Sequence, residues 1–363
     1  MTNWKLIASK KGIRPLAALP DGLVCYSKGS LYHVNYDLND RSFICKLPTN
    51  GLIGYLGNHF RLIDRIFRLG PSHAIVLDGV MFIARRSEIW RCELSTGQLT
   101  LDFIIPDGRR SLSFGKLILP NGDAQICFGD YFSNPSRKPV RIWVRSNKIP
   151  YWSVRYEFAD GEIEHVHAVT AIGKNVFVLC GDFDHCASIW VGNHNFSNIK
   201  CLLRGQQSYR ATWITELSGK FIYATDTQLE SNNIIEMEIN EDNVTTRKLT
   251  GTMGSSIYSG SGICHNFYST TVECGMPTGN FIRDVFEMKR GPGIASNFAK
   301  IFCFDENLYF KEIFEAEKDF YPFRLAQFGS FNFPSGVMPK NTLVAYGLAV
   351  KNFDDKCMVF KLI

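Results

Sequence analysis

The most constraining feature of this sequence is a repeated unit in which an apolar stretch ends abruptly in polar residues. In one copy, His165 and His167 open a strand-like segment, a turn follows at Gly173, and the apolar run Val176–Cys180 ends at Gly181–Asp182. Repetition of a short strand-rich unit is typical of repeat architectures. The pattern recurs where other apolar runs end at Gly129–Asp130, Thr225–Asp226–Thr227 and Ser269–Glu273.

Strand–turn–strand pairs recur along the whole chain. The second strands of seven such pairs end near residues 26, 84, 128, 180, 224, 268 and 346, and most pairs are followed by two further strand candidates. Four strands per unit and seven units predict an all-β fold, a seven-bladed β-propeller with four-stranded antiparallel blades, in a single domain over residues 1–363. Six blades are the alternative, because the second and sixth units are irregular.

Three segments carry the less regular parts of this prediction. The second unit is expected to begin with a strand over residues 61–67, and residues 313–320 are expected to form a short helix. The last unit offers three strands, over residues 325–331, 342–346 and 356–362. The N-terminal segment Trp4–Ala8 is predicted to supply its fourth strand and so to close the ring.

Composition narrows the class of protein. The 28 Phe and 14 Tyr suit strands. The formal net charge of +5 is mild and no Lys/Arg run occurs, which argues against a nucleic-acid partner. The eleven cysteines lie mostly in apolar runs without a Cys-x-x-Cys pair, which predicts a reduced, cytoplasmic protein without structural zinc. No apolar stretch is long enough to span a membrane. The sequence also lacks a Gly-rich phosphate loop, so no nucleotide cofactor is predicted.

The predicted topology places scattered polar residues on one rim. In a four-stranded blade the innermost strand begins, and the second strand ends, on the same face, so the loops at these points surround the mouth of the channel. The residues at these positions are therefore predicted to form one site: Arg85, Arg86, Asp130, His165, His167, Asp182, Gln206, Gln207, Arg210, Asp226, Thr227, Asn232, Thr271 and Glu273.

The pair His165-x-His167 is a candidate metal site. Side chains alternate along a strand, so both imidazoles point to the same side. Two imidazoles hold a divalent metal when a carboxylate or amide completes the shell, and Asp182, Gln206 or Gln207 would complete it. The alternative is that one histidine bonds to the backbone of the next blade and the other lies at the surface.

The carboxylates and Arg210 suggest glycan chemistry. Asp130, Asp182 and Asp226 occupy equivalent blade ends, and clustered carboxylates can supply the acid and base of glycoside hydrolysis. Arg210 would clamp an anionic group of the ligand. The alternative is that each Asp caps a turn through its own backbone and that Arg210 neutralises Asp182 or Asp226.

A resemblance to a known family enters at Val144–Trp152. This segment keeps the Ser and Trp of the Asp-box motif Ser-x-Asp-x-Gly-x-Thr-Trp but lacks its Asp and Gly. With the Gly-Asp, His-x-His, Gly-Gln-Gln-x-x-Arg and Thr-Asp-Thr signatures of residues 125–275, the chain resembles a degenerate Asp-box (BNR-repeat) propeller, especially the uncharacterised bacterial sialidase-like proteins. The resemblance implies glycan processing or binding, with Arg85, Arg86 and Arg210 as the cluster for a substrate carboxylate and Glu273 as the partner of a Tyr.

The function predicted from these features is that of a sialidase-like glycoside hydrolase acting on an acidic sugar. The catalytic candidates are Asp130, Asp182, Asp226, His167 and Glu273, and the remaining rim residues would bind substrate. One alternative is a metal-dependent saccharide lyase that uses the His-x-His pair with a divalent ion. The other is a non-catalytic propeller that binds a glycan or serves as a scaffold. The sequence leaves the oligomeric state open.

Overall fold

The computed structural model describes residues 3–49, 51–240 and 243–363. Its main strands form seven antiparallel sheets of four, one of them extended by a short fifth strand. The innermost strands of all seven sheets line one central cavity of about 420 Å³. The fold is therefore the predicted seven-bladed propeller, and the six-bladed alternative is wrong.

Blades 1 to 3 use consecutive segments of the chain after the first strand, β1 (Trp4–Lys11). Blade 1 contains β2 (Arg14–Leu19), β3 (Gly22–Ser27), β4 (Ser30–Val34) and β5 (Arg41–Lys46). Two helices follow, α1 (Gly51–His59) and α2 (Arg61–Phe67). Blade 2 contains β6 (His73–Leu77), β7 (Val80–Arg85), β8 (Glu88–Glu93) and β9 (Leu99–Ile104). Blade 3 contains β10 (Gly115–Ile118), β11 (Ala124–Gly129), β12 (Val140–Ser146) and β13 (Ser153–Phe158).

Blades 4 to 7 complete the ring. Blade 4 contains β14 (His165–Ile172), β15 (Asn175–Gly181), β16 (Ser188–Gly192) and β17 (Lys200–Arg204). Blade 5 contains β18 (Ala211–Leu217), β19 (Lys220–Thr225), β20 (Asn232–Asn240) and β21 (Asn243–Thr252). Blade 6 contains β22 (Ser255–Gly262), β23 (Asn266–Thr271), β24 (Phe298–Phe304) and β25 (Lys311–Glu317), with α3 (Phe281–Val285) between its second and third strands. After α4 (Phe323–Ala326), blade 7 contains β26 (Ser330–Asn332), β28 (Thr342–Leu348), β29 (Lys356–Leu362) and β1, while β27 (Val337–Met338) pairs with β22.

The ring is closed by the two ends of the described chain. β1 pairs antiparallel with β29, with Trp4 opposite Leu362 and Lys11 opposite Lys356. This pairing confirms the prediction that the N-terminal segment completes the last blade. The hydrogen bonds between β1 and β29 thus join the first and the last strand in chain order within one blade.

The core lies between neighbouring blades, because each blade buries both faces against the next. Val144 of blade 3, and Val166 and Trp190 of blade 4, belong to one such buried cluster. Close approach is built in at Gly129, where any side chain would overlap Val166. Packing of this kind fixes the position of each blade relative to its neighbours.

The expectation of a strand over residues 61–67 is wrong, because these residues form α2. The segment places apolar residues at positions 62, 63, 66 and 67, a spacing that lines one side of a helix rather than one face of a strand. The first strand of blade 2 is β6 instead.

Two further sequence predictions are corrected. The helix expected over residues 313–320 is wrong, because residues 313–317 belong to strand β25, which pairs with β24 as the outer strand of blade 6. The strand expected over 325–331 is shorter, because α4 ends at Ala326 and β26 starts only at Ser330. No helix of the described residues has the length and apolar character needed to cross a bilayer.

The four helices form a layer on one rim of the propeller. They lie in connections between successive blades or after a second strand, which are the loops of the rim where β14 begins and β15 ends. α2 packs on α4, and α4 packs on α3. Arg65 of α2 is buried and joins the helices, donating to the Ala326 carbonyl and pairing with Asp319 at 2.6 Å.

Candidate metal centre

The two histidines of β14 lie side by side at the mouth of the channel. Both are buried, and their Nε2 atoms are 3.2 Å apart. The pairing of β14 with β15 shifts register at His167, between Val166 and Ala168. Gly181 lies opposite on β15, and a Cβ at this position would overlap the imidazole of His167. The absence of a side chain at position 181 is therefore what makes room for the pair.

Backbone carbonyls fix which nitrogen of each ring faces the site. His165 Nδ1 lies 3.1 Å from the Phe132 carbonyl, and His167 Nδ1 lies 3.0 Å from the Ala211 carbonyl. A carbonyl oxygen only accepts hydrogen bonds, so each Nδ1 carries the proton. In a neutral imidazole the other nitrogen, Nε2, then presents a lone pair. Metal-bound histidines are commonly oriented by such a carbonyl.

The two lone pairs converge with a carboxylate oxygen. Asp182 Oδ1 lies 2.9 Å from His167 Nε2 and 3.3 Å from His165 Nε2. Ligand atoms on one face of an octahedron with bonds of about 2.2 Å lie about 3.1 Å apart, which matches this triangle. Three acceptor atoms at this distance repel one another unless a proton or a cation lies among them. His165, His167 and Asp182 therefore have the chemistry and spacing of a site for a divalent metal.

Asp182 is held in its ionised form. Burial alone raises the pKa of its carboxyl, but the Arg210 guanidinium and the two adjacent imidazoles outweigh burial and hold the pKa well below its usual range. The Asp182 side chain is still 19% exposed, so the group can be reached from solvent. A charged, reachable oxygen is what a metal ligand requires.

Arg210 extends the site towards blade 5. Its guanidinium lies 3.1 Å from Asp182 and 3.7 Å from Asp226, and it donates to Gln228 Oε1 at 2.9 Å. It also faces the ring of Phe183. Among the described residues, Arg210 Nε and Asp226 Oδ1 are buried without a hydrogen-bond partner. Buried polar atoms without partners call for an explanation, such as a bound water or ion.

Glu273 is a second kind of carboxyl in the same region. Burial raises its pKa to about 7, helped by repulsion from Asp226 and opposed by Arg210 and by the hydroxyl of Ser255, which donates to it. Asp182 and Glu273 therefore differ in protonation near neutral pH. Paired carboxyls with such different pKa values are typical of acid–base sites.

Tyr131 borders the histidines and was not among the predicted site residues. Its ring meets that of His165 edge-on, with centroids 4.5 Å apart. Burial raises the pKa of its phenol, so the hydroxyl keeps its proton. Gln228 was not predicted at all, although it follows Thr227 directly in the Thr-Asp-Thr segment, which was the available signal.

The polar loops next to the histidines hold one another. Gln207 donates to the Asp182 carbonyl at 3.0 Å and accepts from Thr227 at 2.8 Å. Asn232 accepts from the Thr227 backbone at 3.0 Å and donates to its carbonyl. Gln206 is exposed and bonds to Ser208. Gln207, Thr227 and Asn232 therefore position the loops that carry Asp182 and Asp226.

Thr271 lies at the end of β23, two residues before Glu273. It is buried, and its hydroxyl has no hydrogen-bond partner among the described residues. It was predicted to lie on the rim because it stands at the end of a second strand.

The other three predicted rim residues lie in different surroundings. Arg85 donates to the Pro48 carbonyl and to Glu88, and Arg86 donates to the Phe67 carbonyl, beside the α1–α2 pair. Asp130 is fully buried. Within the described chain, none of these three residues forms a hydrogen bond or ion pair with the side chains of His165, His167 or Asp182. Arg85 and Arg86 also share no bonding partner with Arg210 among the described residues.

Asp130 closes a structural network in blade 3. It pairs with Arg109 at 2.6 Å and accepts from Trp143 Nε1 at 2.8 Å and from the backbone of Arg141 at 3.2 Å. We expect Asp130→Asn to leave the buried charge of Arg109 uncompensated and to lower the free energy of unfolding by on the order of 3 kcal/mol. Chemical denaturation measures this change.

Asp107→Asn is the matched control, because Asp107 also faces Arg109 but is 60% exposed. It should change the stability little. A wild-type unfolding curve for Asp130→Asn would show that its contacts are not needed for the fold and would leave Asp130 free for another role.

Gly181→Ala tests the geometry of the histidine pair. The added methyl group would displace the His167 imidazole, and we expect Mn²⁺ affinity, measured by isothermal titration calorimetry, to fall about 10- to 100-fold. Gly251→Ala is the control, since a Cβ there meets only ordinary contacts. Equal affinity in both variants would show that the position of His167 does not govern metal binding.

Comparison with known proteins identifies the fold and no more. No protein-family model and no curated protein matches the chain. Among solved structures, the chain is similar to an oligogalacturonate lyase in complex with manganese, with a TM-score of 0.58 and 8% identity over 100% of this chain and 98% of the lyase chain. It is also similar to the AfRom2 CNH domain, with a TM-score of 0.55 and 8% identity over 99% of both chains.

Proposed function

We propose that the chain is a divalent-metal-dependent lyase that acts on a carboxylate-bearing saccharide. The observation that carries the proposal is the convergence of His165 Nε2, His167 Nε2 and Asp182 Oδ1, each within 3.3 Å of the others, with both Nδ1 atoms committed to backbone carbonyls. Such a set of two imidazoles and one carboxylate leaves several coordination positions open for substrate.

The metal would be held by His165, His167 and Asp182. A carboxylate has lone pairs for more than one partner, so Asp182 can bind a cation and keep its pairing with Arg210. When bound, a divalent ion would supply Lewis-acid stabilisation of negative charge on a substrate carboxylate. Manganese is the first ion to test, because the similar lyase structure contains it.

Arg210 gives the site its preference for an anion. Its guanidinium is buried and faces Asp182 and Asp226, and its Nε lacks a partner among the described residues. An incoming carboxylate would satisfy this donor. The central cavity, lined in part by His167, offers room for neighbouring sugar units.

The reaction that fits these groups is β-elimination. A base removes the proton on the carbon that bears the carboxylate, the electron pair forms a carbon–carbon double bond, and the bond to the glycosidic oxygen at the next carbon breaks. We assign the base role to Asp226, whose Oδ1 is unpartnered among the described residues. Tyr131, whose phenol keeps its proton, would donate that proton to the leaving oxygen.

A solved lyase of the same fold suggests which substrate class to test. That protein is an oligogalacturonate lyase, which acts on an oligosaccharide of an acidic sugar, and its fold covers the whole of this chain. At 8% identity the likeness concerns the fold, so the substrate class of this chain rests on Arg210 and the metal site.

We expect the purified chain with Mn²⁺ to convert oligogalacturonate or another oligouronate into an unsaturated product, followed by its ultraviolet absorbance. EDTA should abolish the activity and added Mn²⁺ should restore it. His165→Ala and His167→Ala should lower the rate at least 100-fold and remove the stabilisation by Mn²⁺, about 2.7 kcal/mol at 100 times the dissociation constant. Melting temperature with and without the ion provides the second measurement.

His194→Ala is the matched control, because His194 belongs to the same blade but bonds to the Gly173 carbonyl at the opposite end. It should keep both activity and metal binding. Failure of the wild-type chain to bind Mn²⁺, Fe²⁺ or Zn²⁺ would rule out the lyase proposal.

A second candidate is the sialidase-like glycoside hydrolase, and Glu273 is the observation that favours it. A carboxyl with a pKa raised to about 7 by burial is suited to protonate a leaving glycosidic oxygen, with Asp226 beside it as the second carboxyl of the pair. This reaction adds water across the bond, forms no double bond and needs no metal. Cleavage that continues in EDTA and yields a saturated product would favour it.

The raised pKa of Glu273 makes a prediction about stability. A glutamate in the unfolded chain loses its proton near pH 4.5, whereas Glu273 in the fold keeps it to about pH 7. Unfolding between these values releases a proton, so this residue lowers the stability of the wild type as the pH rises from about 4.5 to about 7. We expect Glu273→Gln to gain stability relative to the wild type across that window, by about 1.4 kcal/mol per unit of pKa shift.

Urea denaturation at several pH values measures this difference. Glu287→Gln, on an exposed loop of the same blade, should show no such gain. A constant difference between Glu273→Gln and the wild type from pH 4.5 to 7 would show that the carboxyl titrates normally in the fold.

A further inference from the structure

The helical layer of the rim exposes an unusual number of large apolar side chains. Leu52 is 73% exposed and Phe281 is 80% exposed. We name this surface the apolar rim patch, and it consists of Leu52, Ile53, Tyr55, Phe60, Leu62 and Phe67 on the α1–α2 pair, Phe281, Ile282, Phe286 and Met288 at α3, and Phe320 before α4.

The helices that carry the patch contact one another. α2 packs on α4 and α4 on α3. The Phe323 backbone donates to the Glu287 carbonyl, and Arg65 donates to the Ala326 carbonyl. The exposed apolar groups therefore belong to one connected helical layer.

The first helix has no function in the core. None of the residues of α1 is buried, although four of its nine residues are Leu, Ile or Tyr, in the sequence Gly-Leu-Ile-Gly-Tyr-Leu-Gly-Asn-His. An exposed apolar surface of this extent is rare on a protein that stays free in solution. The exposed apolar side chains of such a helix would be shielded from water only by something outside the chain.

The charges around the patch are positive. Residues 51–69 contain three arginines and one aspartate, and residues 276–290 contain two arginines, one lysine, one aspartate and one glutamate. The acids are engaged within the protein. Asp64 pairs with Arg61, Asp284 accepts from Thr278, and Glu287 accepts from two backbone amides. The exposed charged residues of these two segments are all basic: Arg68, Arg283, Lys289 and Arg290.

We infer that the apolar rim patch binds the surface of an anionic lipid bilayer. Short helices with Leu, Ile and Phe on one side and Arg and Lys at the margins insert into the boundary between headgroups and acyl chains, and the basic groups contact acidic headgroups. The patch is rich in aromatic residues, with five Phe or Tyr on the α1–α2 pair and at α3, including Tyr55 and Phe281. Aromatic side chains suit this boundary. The patch needs no groove and no single partner shape.

The binding surface shares its rim with the candidate metal centre. Glu273 and α3 both follow β23, so the patch and the site face the same side of the ring. If the proposed function holds, the saccharide that reaches the site would be one carried at a membrane surface. The bilayer inference itself does not depend on the chemistry of the site.

Sedimentation of the full chain with vesicles tests the inference. We expect binding to phosphatidylglycerol-rich vesicles, weak binding to phosphatidylcholine alone, and a loss of binding as salt rises from about 0.1 M to about 1 M, where the Debye length falls from about 10 Å to about 3 Å. The double variant Leu52→Asp/Phe281→Asp should bind at least about tenfold more weakly, since each side chain would bury apolar area in the bilayer. Both positions are exposed, so the fold should persist.

Ile118→Asp/Tyr151→Asp is the matched control, because these residues are 57% and 64% exposed at the opposite rim, Ile118 at the end of β10 and Tyr151 between β12 and β13. It should bind vesicles like the wild type. A wild-type chain that ignores anionic vesicles, or a Leu52→Asp/Phe281→Asp variant that binds as well as the control, would overturn the inference. Dimerisation in solution that this variant abolishes, without vesicle binding, would assign the patch to a second copy of the chain instead. Neither result would bear on metal binding or saccharide cleavage.

Discussion

The pairing of β1 with β29 is the contact on which the rest of the structure depends. Each blade buries both of its faces against neighbours, so none has a complete core alone. Closing the ring gives every blade two neighbours and fixes the angle between them. The rim loops inherit their positions from that arrangement, and residues far apart in sequence, such as His167 and Glu273, meet around one channel mouth.

Much of the fold could be predicted because strands and turns have recognisable local sequence patterns. The alternation of apolar residues and the turns at Gly122, Gly173 and Gly219 set the blades, and the placement of His165, His167 and Asp182 at strand ends follows from topology. Residues 61–67 were wrongly predicted as a strand, because over a segment this short the helical spacing of the apolar residues is a weak signal, and no local signal shows that the segment lies outside the sheets. Tyr131 and Gln228 were missed because their importance comes only from neighbours in other loops.

Two aspartates in equivalent sequence positions have different surroundings in the structure. Asp130 and Asp182 each follow a glycine at the end of a second strand. Arg109, from the preceding connection, reaches Asp130 and encloses it, whereas Asp182 meets two histidines and stays partly open to solvent. The partner of a polar side chain depends on the three-dimensional arrangement of the blades, and a repeated sequence motif does not identify that partner.

The carbonyls that orient the two histidines come from different parts of the ring. Phe132 belongs to the loop inside blade 3 and Ala211 to the first strand of blade 5, while the rings themselves belong to blade 4. The separation of the ligand atoms is therefore set by how three blades are packed, not by β14 alone. A repacking of residues between these blades, remote from any ligand, would widen or narrow the triangle and so change which ionic radius it accepts. Ion selectivity in such a centre would be a property of the propeller's core.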